Sequence, residues 1–187
     1  MSASPSPTPA MVVAVTAPPL GVRDTAYVPA RPAPALRLID QDGHPFDLAS
    51  IRGTPVFVYF GYTHCPDVCP TSLADLRAGI GQSGVDATVV FVTVDPARDD
   101  PAAMKRYVDY YGSGFIGLTG TDTAIAEAAA AWGVSYRKLE SESPGGYPMS
   151  HSADAYLVDA AGTLRHHMFF GASPALIARR LREVAGG

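Results

Sequence analysis

Cysteine is nearly absent: the 187-residue chain has two, Cys65 and Cys69. Two cannot staple a disulfide scaffold, so they form a local pair or act as ligands. Charge is sparse as well. Asp, Glu, Lys and Arg make up 17% of the residues, and the formal net charge is -4. The densest basic stretch, "ARRLRE", reads as one exposed helix face carrying Arg179, Arg180 and Arg182. It is not the basic stripe of a nucleic-acid binder, so that partner class is excluded. Long apolar runs are missing too. The longest near the start, "AMVVAVTAPPL", is about half of what spans a bilayer, so no transmembrane segment is expected. No basic residue precedes Arg23 to make the n-region of a secretory signal. These absences predict either a protein that stays in the cytoplasm or a trimmed form of a longer chain.

What is present suits one domain with a real core, since 47% of the residues are hydrophobic. Residues 1–34 hold 8 of the 17 prolines among Ser, Thr and Ala, which predicts a flexible, disordered Pro-rich tail. The domain then runs over 35–187. Alternation around Asp42-Gly43 in "ALRLIDQDGHPFDL" signals an N-terminal hairpin. "TPVFVYFGY" and "ATVVFVTVD" are apolar runs of strand length, as expected for strands buried on both faces. "TSLADLRAGI" has helical spacing between them. "DDPAAMKRYVDYYG" starts a helix at Asp100 and Pro101, and "DTAIAEAAAAWG" a further one capped by Asp122. "VSYRKLE" reads as a shorter strand and "SESPGGYPMSH" as a loop. "SADAYLVD" and "TLRHHMFF" form a hairpin turning at Ala161-Gly162. Ser173 caps a closing helix with Ile177, Leu181 and Val184 on its inner face. Strands alternating with helices and ending in an antiparallel hairpin plus helix predict an α/β, thioredoxin-like fold. Its central sheet is mixed, with helices on both faces.

The two cysteines lie in "FGYTHCPDVCP", after one buried strand and before a helix. That places them at the carboxyl edge of the sheet, where open α/β sheets build sites. A spacing of four residues brings both sulfurs to one side of a helical turn, able to form a disulfide or to grip a metal ion. Pro66 keeps the approach extended and Pro70 starts the helix. If Cys69 lies in the first helical turn, the helix N-terminus favours its thiolate. Core packing of two small thiols suits this Pro- and Asp-rich loop poorly. Two sulfurs do not separate redox chemistry from metal binding; a third ligand would. In a thioredoxin-like fold the segment entering the late hairpin lies against the cysteine loop, and here it is "PMSHSADAYLVD". His151 is therefore a candidate ligand, against the alternative of a hydrogen-bonding loop histidine. Two thiolates and an imidazole suit Cu(I) first, and Zn(II) with a water second.

"GYTHCPDVCPTSLADL", "VTVDPARDDP" and "HSADAYLVD", in that order from about Ala35 to the C-terminus, resemble the Sco/SenC family of copper chaperones. The resemblance implies a thioredoxin-like domain that binds copper through Cys65, Cys69 and His151. It implies a metallochaperone rather than an enzyme, working in cytochrome c oxidase assembly. The family delivers copper to the oxidase copper-site subunit or reduces that subunit's cysteines. It works outside the cytoplasm, in the periplasm or on the outer membrane face. The resemblance also makes Asp95 a possible ligand for Cu(II) or an orienting group.

Rival readings use the same residues. A thiol–disulfide reductase needs the redox-active pair Cys65 and Cys69 but not His151. A peroxiredoxin wants a proline before its reactive cysteine, and "FGYTHC" has none. A structural zinc site is the non-catalytic rival. Asp99 and Asp100 read as turn and cap residues, Asp67 as a local turn former, Met149 as core or loop, and His44 as surface. His166 and His167 are adjacent on a strand and face opposite ways, so they cannot chelate one ion together.

Overall fold

The computed structural model of the protein describes residues 23–141 and 146–186. Three strands form the parallel centre of the sheet: β4 (Val56–Gly61), β5 (Thr88–Thr93) and β6 (Phe115–Thr119). Their order and the antiparallel flanks follow from the connections. β1 (Asp24–Pro32), β10 (Thr163–Met168) and β9 (Ala155–Val158) line one side of β4. β2 (Arg37–Asp40) and β3 (Pro45–Asp47) continue beyond β6. The eight-stranded sheet thus runs β1-β10-β9-β4-β5-β6-β2-β3. Every residue of β4 is buried, as its unbroken apolar run requires of a strand covered on both faces. Phe57, Tyr59 and Phe60 of β4 and Phe91 of β5 are fully buried, each contributing about 1.5–3 kcal/mol from apolar burial.

Helices α1 (Val68–Ser83) and α2 (Pro101–Asp109) make the crossovers between the parallel strands, while α3 (Asp122–Trp132) and α4 (Pro174–Ala185) complete the covering of the two faces. Asp100 caps α2 by accepting from the Ala103 N–H at 2.7 Å, and Ser173 caps α4 by accepting from Leu176. The predicted hairpins at Asp42-Gly43 and Ala161-Gly162 are both present, and α1 packs on α4.

Four expectations need correction. The third parallel strand is Phe115–Thr119, not "VSYRKLE". It is short and carries Gly117 at its centre, which hides it from a pattern search. A Cβ there would sit 3.1 Å from Val108 and 3.2 Å from Met104 of α2, so those side chains would have to give by a few tenths of an ångström. "VSYRKLE" instead supplies β7 (Tyr136–Lys138), which pairs with β8 (Met149–His151) in a separate two-stranded ribbon; β8 falls inside the predicted loop. Asp24–Pro32, read as tail, pairs with β10. Its prolines are tolerated because an edge strand leaves half its N–H groups unneeded by any ladder. Residues 1–22 of that reading lie outside the described residues. Finally, α3 is capped by Thr121, with Asp122 its first helical residue.

Candidate metal centre

β4 delivers the chain to the sheet edge at Gly61, and α1 begins at Val68. Between them the loop carries Cys65, and Cys69 is the second residue of the helix. Pro70, third in the helix, lacks an N–H where none is needed by the helical ladder. The loop is tied down at its entrance. Asp99, fully buried, accepts from the Thr63 N–H at 3.0 Å, the Thr63 hydroxyl at 2.6 Å and the Thr93 hydroxyl at 2.6 Å. Asp99 is thus more than the turn residue its local sequence suggests: it is the bolt between the cysteine loop and β5. Nothing in the local pattern distinguishes it, since its partners are 36 and 6 positions away.

Asp67 occupies the N-cap position, but its side chain makes no cap hydrogen bond. The sulfur of Cys65 stands in for it, accepting from the Cys69 N–H at 3.4 Å. The electrostatics of the pair follow. The Cys69 thiol donates to Cys65, and the Asp67 and Cys69 backbone N–H groups add to it. Against the opposing effect of burial, these bring the Cys65 pKa down to about 5. Cys69 is driven the other way by that same shared hydrogen bond and by its own burial. The expectation that the helix end would favour the Cys69 thiolate is thus reversed. The free N–H groups point at the sulfur that precedes the helix, not at the one within it. Cys65 and Cys69 are not joined in a disulfide and are 7% and 0% exposed.

His151 ends β8 and reaches back to this pair. Its Nε2 is 3.4 Å from Cys69 Sγ. Its Nδ1 is 3.0 Å from the Ser152 carbonyl oxygen. A carbonyl only accepts, so Nδ1 carries the proton and the Nε2 lone pair faces the sulfurs. The rings of Tyr59 and Tyr62 stand edge-on to the imidazole, with centroids at 6.4 and 5.8 Å. One ligand atom from each of Cys65, Cys69 and His151 lies within 4.8 Å of the others. These three residues lie close enough to bind one metal ion, and among the described residues they are the one such group.

The remaining candidates are placed elsewhere. Asp95, 4% exposed, has one carboxyl oxygen bound by Arg98 Nε and the other by the Tyr147 hydroxyl at 2.8 Å, and it does not join the ligand group. Met149 packs against the apolar core. His44 is exposed. His166 and His167 face different partners, Asp24 at 3.5 Å and Asp154 at 2.9 Å.

Comparison with known proteins gives one family. The SCO1/SenC family profile matches residues 27–186. An SCO2-like protein of Rickettsia conorii is 36% identical over 150 residues, covering 78% of this chain and 73% of its own. A copper-bound structure of ScoI from Arabidopsis thaliana superposes with a TM-score of 0.76 at 32% identity, over 82% of this chain and 98% of that one. Copper-bound ScoI from Bradyrhizobium japonicum gives a TM-score of 0.69 at 33% identity, over 80% and 97%.

Proposed function

From the premise that this chain belongs to the SCO1/SenC family, we propose that it carries Cu(I) between Cys65, Cys69 and His151. It passes the ion to a copper protein outside the cytoplasm, of which the copper-site subunit of cytochrome c oxidase is the foremost candidate. The observation that carries this reading is the orientation of His151, whose unprotonated Nε2 faces the two cysteine sulfurs with all three ligand atoms inside 4.8 Å. The donor set fits the ion: two soft sulfurs and one imidazole favour Cu(I) over hard cations. Cu(II) is a second cargo open to the same three residues.

The residues are prepared for loading. Cys65 is a thiolate before any ion arrives, whereas Cys69 keeps its proton and yields it on binding. Three donors leave a coordination position for an incoming ligand, so a partner's donor attacks before these let go. Oxidation to a Cys65–Cys69 disulfide removes two of the three donors, which makes loading depend on redox state.

A second reading is favoured by the lowered pKa of Cys65. In thiol–disulfide exchange its thiolate attacks a partner disulfide and forms a mixed disulfide. Cys69 then attacks Cys65 Sγ, its proton passes to the departing partner thiolate, the thiolate freed in the first step takes a proton from solvent, and the partner leaves as a dithiol. His151→Ala separates the two. Reduced protein is titrated with Cu(I) against a competing chelator, and its reduction of a model disulfide is followed in parallel. One tightly held Cu(I) per chain, weakened at least about tenfold in the variant with reductase rate retained, supports the copper reading. Equal copper retention by both proteins overturns it.

A further inference from the structure

His151 is the last residue of a two-stranded ribbon that shares no ladder with the eight-stranded sheet. A ligand on such a ribbon needs something else to hold it within a fraction of an ångström of the sulfurs. Ser135 and Ser152 bond each other across the ribbon's end, which fixes the ribbon to itself and not to the sheet. Tyr136 and Met149 pack the ribbon against the apolar core, and its polar tie to the body of the domain runs through Tyr147.

We propose that Tyr147 is the positioning residue for His151, clasping the ribbon to the end of β5 through Asp95 and Arg98. The Tyr147 hydroxyl donates to Asp95 Oδ1 at 2.8 Å, and the Arg98 Nε donates to Asp95 Oδ2. Arg98 also lies over the Tyr147 ring, its guanidinium carbon 3.8 Å from the centroid, and Lys138 of β7 places Nζ at 3.7 Å from the same centroid. One phenol thus engages an anion at its hydroxyl and two cations at its ring. The circuit closes on the site itself. Arg98 lies 5.8 Å from the Tyr62 ring centroid, and Tyr62 is the ring that stands edge-on to His151.

The anchor is firm. The Asp95 N–H donates to Thr93 Oγ1 at 2.9 Å, and its carbonyl accepts from Arg98 and Asp99 at 3.1 Å. It follows β5, the neighbour of the strand that delivers the cysteine loop. Sulfurs and imidazole are therefore both tied to the segment that follows β5, the first through Asp99 and the second through Asp95 and Tyr147. Burial and the nearby Asp95 raise the Tyr147 pKa, so the phenol remains a donor at neutral pH. From Tyr147 the chain needs only Pro148, whose carbonyl accepts from Leu139 at 2.9 Å, to enter β8.

The inference rests on the copper reading for one of its readouts and is independent of it for the other two. Full-length reduced protein is compared with Y147A, Y147F and H151A. In the metal-free state, Y147A speeds amide hydrogen exchange over residues 149–152 by about tenfold or more. It also moves the His151 ring ¹⁵N resonances from one fixed tautomer toward the average of both. In Cu(I) competition it weakens retention by about 10- to 100-fold. Y147F keeps the ring between its cations and falls between wild type and Y147A; it decides the matter if Y147A does not fold. Wild-type exchange, resonances and retention in Y147F and Y147A overturn the clasp, as does a lowered melting temperature with the His151 resonances unmoved. A wild-type chain that retains no Cu(I) defeats the copper reading instead, and the metal-free measurements still judge Tyr147.

Discussion

Cys69 Sγ and His151 Nε2 are 3.4 Å apart, across 82 positions of sequence. Sheet topology makes the meeting possible. β9 runs antiparallel beside β4, with Ala155 opposite Tyr59. The segment entering β9 and the loop leaving β4 therefore emerge at the same edge of the sheet. One carries His151 and the other carries the cysteines.

The approach of Cys69 to the sheet depends on Gly61. A Cβ at that position would lie 2.8 Å from Cys69 Sγ and 2.8 Å from Phe91. Both neighbours are fully buried, so neither can swing aside. Gly61→Ala is expected to destabilise the domain by about 1–3 kcal/mol and to weaken Cu(I) retention by displacing the sulfur. Urea denaturation and chelator competition measure the two effects; wild-type values in both would show that the sulfur is not seated against the strand.

Removing the bolt at Asp99 leaves two hydroxyls and the Thr63 N–H without their acceptor. Asp99→Ala is expected to cost about 3 kcal/mol or more and to loosen the cysteine loop. Asp99→Asn, which keeps an acceptor oxygen, costs less. Denaturation midpoints rank the three proteins, and amide exchange at residues 62–67 locates the loosening.

The order in which the two thiols react is fixed by their hydrogen bond. With its pKa near 5, Cys65 is expected to be a thiolate in the reduced, metal-free protein across neutral pH, while Cys69 remains a thiol. Iodoacetamide should modify Cys65 first, at a rate that rises with pH through the region of 5 and levels off above it. Peptide mass mapping at short times reads the site. Faster labelling of Cys69, or a rate still climbing steeply at pH 8, contradicts the assignment.

Much of this is legible in the amino-acid sequence. Apolar runs marked β4 and β5, and cap residues marked α2 and α4, because each signal is local. The cysteine pair and His151 could be named because the fold order placed their segments at one edge. Failures came where the decisive contact is distant. β6 is concealed by a central glycine that lies close against α2. β1 is concealed by prolines that only an edge position tolerates. Asp99 and Tyr147 look like ordinary turn and loop residues, since their partners lie 36 and 52 positions away. The thiolate assignment was inverted because spacing tells which residue enters the helix, but not which sulfur its N–H groups face.

Acid should destabilise the domain in part through His166. Its ring is 8% exposed, with Nδ1 making no hydrogen bond. Asp24 Oδ2 lies 3.5 Å away and alone would raise its pKa. That oxygen is already held by Arg180 Nε at 2.6 Å. Burial, followed by the Arg180 charge, outweighs Asp24 and Glu183, with Arg165 adding to the repulsion, and the pKa is lowered. A histidine with a folded pKa below its unfolded value of about 6.5 takes up its proton more readily in the unfolded chain. Stability is therefore intact above that value and declines as pH falls through it, levelling off only below the folded pKa. His166→Leu removes this contribution. Between pH 7.5 and 5 the denaturation midpoint of wild type should fall more steeply than that of the variant; parallel slopes would mean that His166 is not held neutral by its surroundings.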